Sequence, residues 1–448
     1  MAKRSLHRAG AHRVLTGVAT SPGAAAGPVI PLPVRAGAPL EGVVVADDLS
    51  PAEVLALDPQ VVLAVATAAG APLSHASILA RSLGIPVVTG LGPEVLALPA
   101  AAFVLVDGDA GIVHVDPPPR LVEEAAARRR ADSRRSEDAR RLAAEPACTL
   151  DGKAVPVLAN VGSPHEAQAA VLEGADGVGM LRTEFAFLGR PEPPGEQVQY
   201  DAYLGVANAL GDRPLVVRTL DLGADIPAWG GVVEPNPALG NRGLRFALAR
   251  PWLLETQLRA IARLAERRPL QVMFPMVTTV DELREARACL DAVTTAPPGA
   301  IEIGITVEVP AAALTAEAFA PLVDFFAIGT NDLTQYTLAV DRANAAVAGL
   351  ADGLHPGVLR LVRAVTVAGE AHQRPVEVVG ELGCDRLAIP VLLGLGVSAL
   401  SVRPNTVATV KQAVRAVRLP EARRLAEAAL QMESAAAVRR LCAMGEGR

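Results

Sequence analysis

From about Leu150 onward, short apolar runs recur with polar or amphipathic stretches between most of them. Eight such runs stand out: VPVLANVG, DGVGMLRT, PLVVRTLDL, LQVMFPMV, IEIGITVEV, FFAIGTNDL, VEVVGELG and ALSVRP. Intervening segments such as SPHEAQAAVLEG and VDELREARACLDAV carry their apolar positions at helical spacing. A strand and helix alternating eight times predicts a (β/α)8 TIM barrel over residues 150–448, with helices closing its carboxyl-terminal part.

The earlier part of the chain has a different rhythm. Between residues 15 and 118 the runs GPVIPLPV, GVVVADD, VVLAVAT, IPVVTG, AFVLVDGD and GIVHVDP follow one another with only brief helical patterns between them. This predicts a smaller, compact α/β domain. RLVEEAAARRRADSRRSEDARRLAAEPA then reads as a solvated helical linker over residues 119–149. Residues 1–14 form a basic tail without the apolar core of a signal peptide.

Composition supports an α/β protein. Of 448 residues, 51% are hydrophobic and only 3% aromatic, as buried parallel strands rich in Ala, Val and Leu require. A net charge of −6 leaves no basic surplus for nucleic acid. The longest apolar runs fall short of the length needed to span a membrane, so no span is expected. Cys148, Cys289, Cys384 and Cys442 lie far apart without metal-type spacing, which points to free thiols and a cytoplasmic setting.

Chemistry is concentrated where the predicted strands end. In a barrel the active face lies at the strands' carboxyl ends, and there stand Arg182, Arg218, Asp221, Glu308, Asn331, Asp332 and Glu381. Arg242 and Arg342 extend a set of planar cations suited to gripping phosphate and carboxylate, so an anionic substrate is expected. Glu308 and Asp332 offer hard oxygen ligands of the kind Mg2+ prefers in phosphoryl-transfer sites. The same residues would also serve a purely structural ion network.

In the smaller domain, GAPLSHASILARSLGIPVVTG places His75 just after a helix-capping Ser74, with Ile78, Leu79, Ser82 and Leu83 on one face before Gly84. An imidazole at the positive end of a helix is available as a neutral nucleophile. A phosphoryl group on it would be stabilised by free backbone N–H groups.

That stretch closely resembles the phosphohistidine signature of the phosphoenolpyruvate-utilising enzymes. MLRTEF, VVRTLDLGAD, NPALGNRGLR, MFPM, VEVPAA and IGTNDLTQYTLAVDR resemble the family's barrel motifs in the same order, and LTGVATSPGAAAGPV resembles the beginning of its enzyme I branch. The resemblance implies a swivelling phosphohistidine domain before the barrel and phosphorylation of His75. It implies phosphoenolpyruvate binding by Arg182, Arg218, Arg242, Asn331, Asp332 and Arg342, and Mg2+ on Glu308 and Asp332. A homodimer through the barrel is a further implication.

The chain departs from the family pattern in three ways. PLPVRAGAPLEGVVVAD crosses the point where enzyme I carries its helical dock for the carrier protein HPr, leaving room for a loop only. HPr is therefore doubtful as a partner, and the acceptor protein is unidentified. Val379 occupies the place of the cysteine that protonates the enolate, with Cys384 as a displaced proton donor. Ile226 replaces a lysine, and Arg403 stands where a small residue is usual. The expected function is phosphoenolpyruvate-dependent phosphorylation of His75 with onward transfer. The competing readings are a degenerate homologue that binds phosphoenolpyruvate as a regulatory or interaction protein, and a barrel lyase or aldolase. A Schiff-base version of the last is disfavoured because Lys3, Lys153 and Lys411 avoid the predicted active face.

Overall fold

The computed structural model describes residues 12–32, 41–50, 53, 54, 56–58, 61–70, 77, 79, 80, 83–222, 234, 236–342, 344 and 346–446. Two units result: Met1–Arg135 with Val340–Ala351, and Ser136–Ala339 with Asp352–Arg448.

The first unit is built on one mixed sheet. Its strands are β1 (Arg13–Thr16), β2 (Val18–Ser21), β3 (Ala24–Pro31), β4 (Gly42–Ala46), β5 (Val62–Thr67), β6 (Val87–Thr89), β7 (Phe103–Asp107) and β8 (Ile112–Val115). They lie in the order β1-β8-β7-β3-β4-β5-β6-β2, parallel from β3 to β6 and antiparallel elsewhere. Val43 and Val45 face one apolar cluster while Val44 and Ala46 face another. An uninterrupted valine run is thus a strand buried on both faces. β1 and β2 were not among the expected strands, because each has only four residues, half of them polar, around Gly17.

A helix, Pro119–Arg141, occupies most of the charged segment between residues 119 and 149. Beyond it, all eight expected barrel strands form: β9 (Val157–Val161), β10 (Val178–Arg182), β11 (Leu215–Arg218), β12 (Leu270–Phe274), β13 (Ile301–Val307), β14 (Phe325–Gly329), β15 (Val376–Val379) and β16 (Ala399–Val402). Each pairs in parallel with its neighbours and β16 closes on β9. Alternate residues point outward into the apolar layer beneath the helices, among them Val272, Ile305, Val307, Ile328 and Val378. Met180, Val216, Met273, Phe325, Ala327 and Val379 instead cluster inside the barrel. There Gly304 makes room for a ring, since a Cβ on it would lie 2.3 Å from Phe325.

Lysine scarcity has a structural counterpart. Fully buried Lys411 donates to Asp176 Oδ1 at 2.6 Å and to the carbonyls of Ala143 and Glu145 at 3.0 and 3.3 Å. It thereby ties the chain before β9 to the barrel wall. No described helix is long and apolar enough to cross a membrane.

Candidate active site

The carboxyl ends of β10 and β11 are in register, so Arg182 and Arg218 stand side by side. Arg218 reaches Glu184 at 3.0 Å, Asp221 at 3.4 Å and Glu308 at 3.9 Å. Asp221 in turn takes a two-pronged grip from Arg242, with Nη2 to Oδ2 at 2.8 Å and Nε to Oδ1 at 3.2 Å. Arg242 also reaches Asp332 at 3.2 Å and the Tyr336 hydroxyl at 3.3 Å. Charges thus alternate through the chain Glu184, Arg218, Asp221, Arg242 and Asp332.

Burial works against the charge on Arg218 and Arg242, but the surrounding carboxylates outweigh it and raise both above the ordinary arginine value. Arg182 is different. It is shifted below the usual arginine range by burial first and by Arg218 second, with Glu184, Glu381 and Glu166 compensating only in part. Among the described residues it makes no ion pair, and a half-buried, partly desolvated cation without an ion-pair partner is a place prepared for an anion.

The carboxylates show the opposite imbalance. Burial, then Asp332 and Asp221, push Glu308 up to about 8 against the pull of Arg218 and Arg242. Its Oε2 accepts the Met276 N–H at 3.0 Å. Met276 holds a left-handed φ of +57°, and the segment is pressed against Gly243, where a Cβ would sit 2.6 Å from that of Met276. Gly329 similarly allows Glu308 to lie flat, because a Cβ there would meet Glu308 Cγ at 2.4 Å.

Asn331, in the first turn of the helix Thr330–Leu338, accepts the Glu381 N–H at 3.2 Å through Oδ1. Only glycine suits the preceding turn: Gly380 has φ +122°, and a Cβ on it would lie 2.7 Å from Thr330 Oγ1. Cys384 packs partly against the outer apolar layer and places its sulfur 3.5 Å from Thr406 Oγ1. Burial and Glu381 push its thiol upward.

Arg182, Arg218, Arg242, Glu308 and Asp332 are therefore assembled around one cluster, with Asn331 beside Glu381. Arg342 falls in the Val340–Ala351 segment and is described with the first unit. His75, its Ser74 cap and Ile226 lie outside the described residues. The expected site set omitted Glu184 and Tyr336, and it placed Asp221 at the active face without giving it a role. Glu184 accepts from both Arg218 and the Asp221 N–H, so it fixes the end of β11. The signal for Glu184 was present as an acid close behind a strand-ending arginine, in RTE, as Asp221 stands in RTLD.

The profile of the PEP-utilising enzyme, PEP-binding domain, matches residues 136–419, and that of the PEP-utilising enzyme, mobile domain, matches residues 39–111. The chain belongs to the PEP-utilising enzymes. A multiphosphoryl transfer protein of Rhodobacter capsulatus is 44% identical over 402 residues, covering 89% of this chain and 49% of that protein. Phosphoenolpyruvate-protein phosphotransferases of Haloferax volcanii and Geobacillus stearothermophilus are 42% and 39% identical, over 89% and 88% of this chain and 71% and 70% of theirs. This PEP-utilising chain spans about half the length of the multiphosphoryl proteins. The barrel cluster lies within the first matched region and the His75 stretch within the second.

Proposed function

We propose that this chain takes the phosphoryl group of phosphoenolpyruvate onto His75, releases pyruvate, and passes the group to an acceptor protein in the cytoplasm. The observation that carries this is Arg182: a half-buried guanidinium that makes no ion pair among the described residues, beside Arg218 at adjacent strand ends of a PEP-binding barrel. In this reading Arg182 and Arg218 grip the substrate's phosphate and carboxylate, and Arg242 and Arg342 complete the cationic set. With the Asn331 carbonyl engaged by Glu381 N–H, its amide NH2 is left to donate to the substrate carboxylate. Cys384 is one source of the proton that the enol needs at carbon.

The residues present fit Mg2+. Glu308 and Asp332 are buried oxygen donors crowded by like charge, which a cation would relieve, and two carboxylates plus substrate oxygens are a usual magnesium set. When bound, the ion would neutralise charge on the transferring phosphoryl group. The acceptor is a protein other than free HPr, and the barrel pairs with a second copy. A regulatory, non-turning-over homologue is the second reading, favoured by Val379 in the place of a proton donor.

One test separates the two readings. The purified chain with Mg2+ should release a burst of pyruvate stoichiometric with protein, and Asp332→Ala should lose most of it. Binding of phosphoenolpyruvate without any pyruvate would support the regulatory reading.

A further inference from the structure

β16 runs directly into Arg403, at a position where the family pattern has a small residue. Pro404 keeps Arg403 extended, at φ −66° and ψ 144°. Its carbonyl accepts the Thr406 N–H at 3.0 Å and the Thr406 hydroxyl at 2.8 Å, so the side chain starts from a fixed point at the strand end.

Among the described residues the guanidinium has one ion-pair partner. Arg403 Nη2 lies 3.4 Å from Glu381 Oε2, with 17% of the arginine side chain and 35% of the glutamate side chain exposed. Register explains the meeting. Val379 pairs with Ser401, so Glu381 and Arg403 each stand two residues beyond a paired position on neighbouring strands. Both are only partly wetted, so water screens their charges weakly.

Glu381 is joined to the substrate side of the site as well. Its N–H donates to Asn331 Oδ1 at 3.2 Å. Its charge also reaches Arg182: burial and Arg218 act against that cation, while Glu184, Glu381 and Glu166 favour it. Around the rim the strands run β14, β15, β16, β9 and β10, so the strand end bearing Arg403 comes between the turn bearing Glu381 and the end bearing Arg182. Inside the barrel β16 and β10 approach each other across β9, because a Cβ on Gly179 would lie 2.5 Å from Ser401 Oγ. A carboxylate beside two residues that hold an anion repels that anion unless a cation offsets it.

We propose that Arg403 is a positioning residue for the substrate: its ion pair holds the Glu381 carboxylate on the β16 side of the rim and offsets its charge, leaving Arg182 and Asn331 to grip phosphoenolpyruvate. The inference rests on the phosphoenolpyruvate reading above. Without Arg403, the Glu381 carboxylate is drawn to Arg182 and the substrate has to displace it. Arg403 takes no part in breaking or forming a bond to phosphorus, so its effect falls on affinity and not on the step that follows binding.

Titration calorimetry of phosphoenolpyruvate with Mg2+ into the His75→Ala chain reads binding without transfer, and pyruvate release at saturating phosphoenolpyruvate by the chain with His75 intact reads the step after it. Arg403→Ser should weaken binding roughly tenfold, the size of one partly screened charge acting from the rim, and leave pyruvate release at saturation close to wild type. Arg403→Lys keeps the charge at a contact made by one nitrogen and should bind like wild type. Glu381→Gln keeps the N–H to Asn331 and should bind more tightly, and adding it to Arg403→Ser should restore affinity. Unchanged affinity in Arg403→Ser, no recovery in the double variant, or a loss confined to pyruvate release would each overturn the assignment. Should Arg403→Ser not fold, Glu381→Gln decides, since binding no tighter than wild type overturns it as well. No pyruvate from wild type overturns the transfer reading while calorimetry still decides Arg403, whereas no binding of phosphoenolpyruvate overturns both.

Discussion

Arg242 is a buried guanidinium and Arg182 a half-buried one, and their surroundings predict opposite behaviour on substitution. Arg242 is locked between Asp221 and Asp332, so Arg242→Met takes a buried cation from between two buried carboxylates and should destabilise the fold by roughly 3–5 kcal/mol. Arg182 has Arg218 as its nearest opposing influence, and Arg182→Met should leave thermal stability unchanged or higher. The same variant should lose roughly 100-fold or more in phosphoenolpyruvate-dependent phosphate uptake. Thermal unfolding with and without phosphoenolpyruvate checks both: substrate should raise the melting temperature of wild type and not that of Arg182→Met. The signs follow from the charge balance around each residue, which sequence spacing alone does not show.

At the scale of elements, β15 and the turn after it carry the sharpest expectations. Gly380→Ala forces a side chain into a positive-φ position and against Thr330, and should destabilise by about 2 kcal/mol or more while releasing Asn331 from Glu381. Glu377 predicts a pH dependence. Its folded value near 8 exceeds the ordinary 4.5, so the folded state holds the proton longer than the unfolded chain. Stability therefore falls as pH rises between those values, by on the order of 3–5 kcal/mol for this group, and is level beyond them. Glu377→Gln should match wild type near pH 4.5 and exceed it near pH 8 in denaturant unfolding. The barrel strands were legible because apolar runs and amphipathic helices alternate along the sequence, and the arginine ends because charge follows an apolar run abruptly. Glu377 was less visible, since one acid in VEVV looks like an exposed position of a half-buried strand. Only closure of the barrel buries that face as well. Tyr336 was hidden because its role depends on where Arg242 arrives from a distant loop.

For the whole molecule, the mobile-domain region falls within the small sheet unit and the PEP-binding region begins where the barrel unit does, although Val340–Ala351 groups with the sheet unit; little lies between β3 and β4. Residues 32–41 alone join those strands, too few for the helical dock that the enzyme I branch carries there. Transfer to free HPr should be slow and unsaturated, because the short β3–β4 connection offers no dock of that kind to position it; fast, saturable transfer in a labelled-phosphate assay would contradict this. Everything else depends on the proposed phosphorylation of His75. The most direct measurement incubates the purified chain with labelled phosphoenolpyruvate and Mg2+, digests it at alkaline pH and maps the label by mass spectrometry. The barrel cluster and the His75 stretch together predict one acid-labile phosphate on the peptide bearing His75, absent from His75→Ala. Label on another residue, label persisting in His75→Ala, or no label at all while phosphoenolpyruvate binds would contradict it.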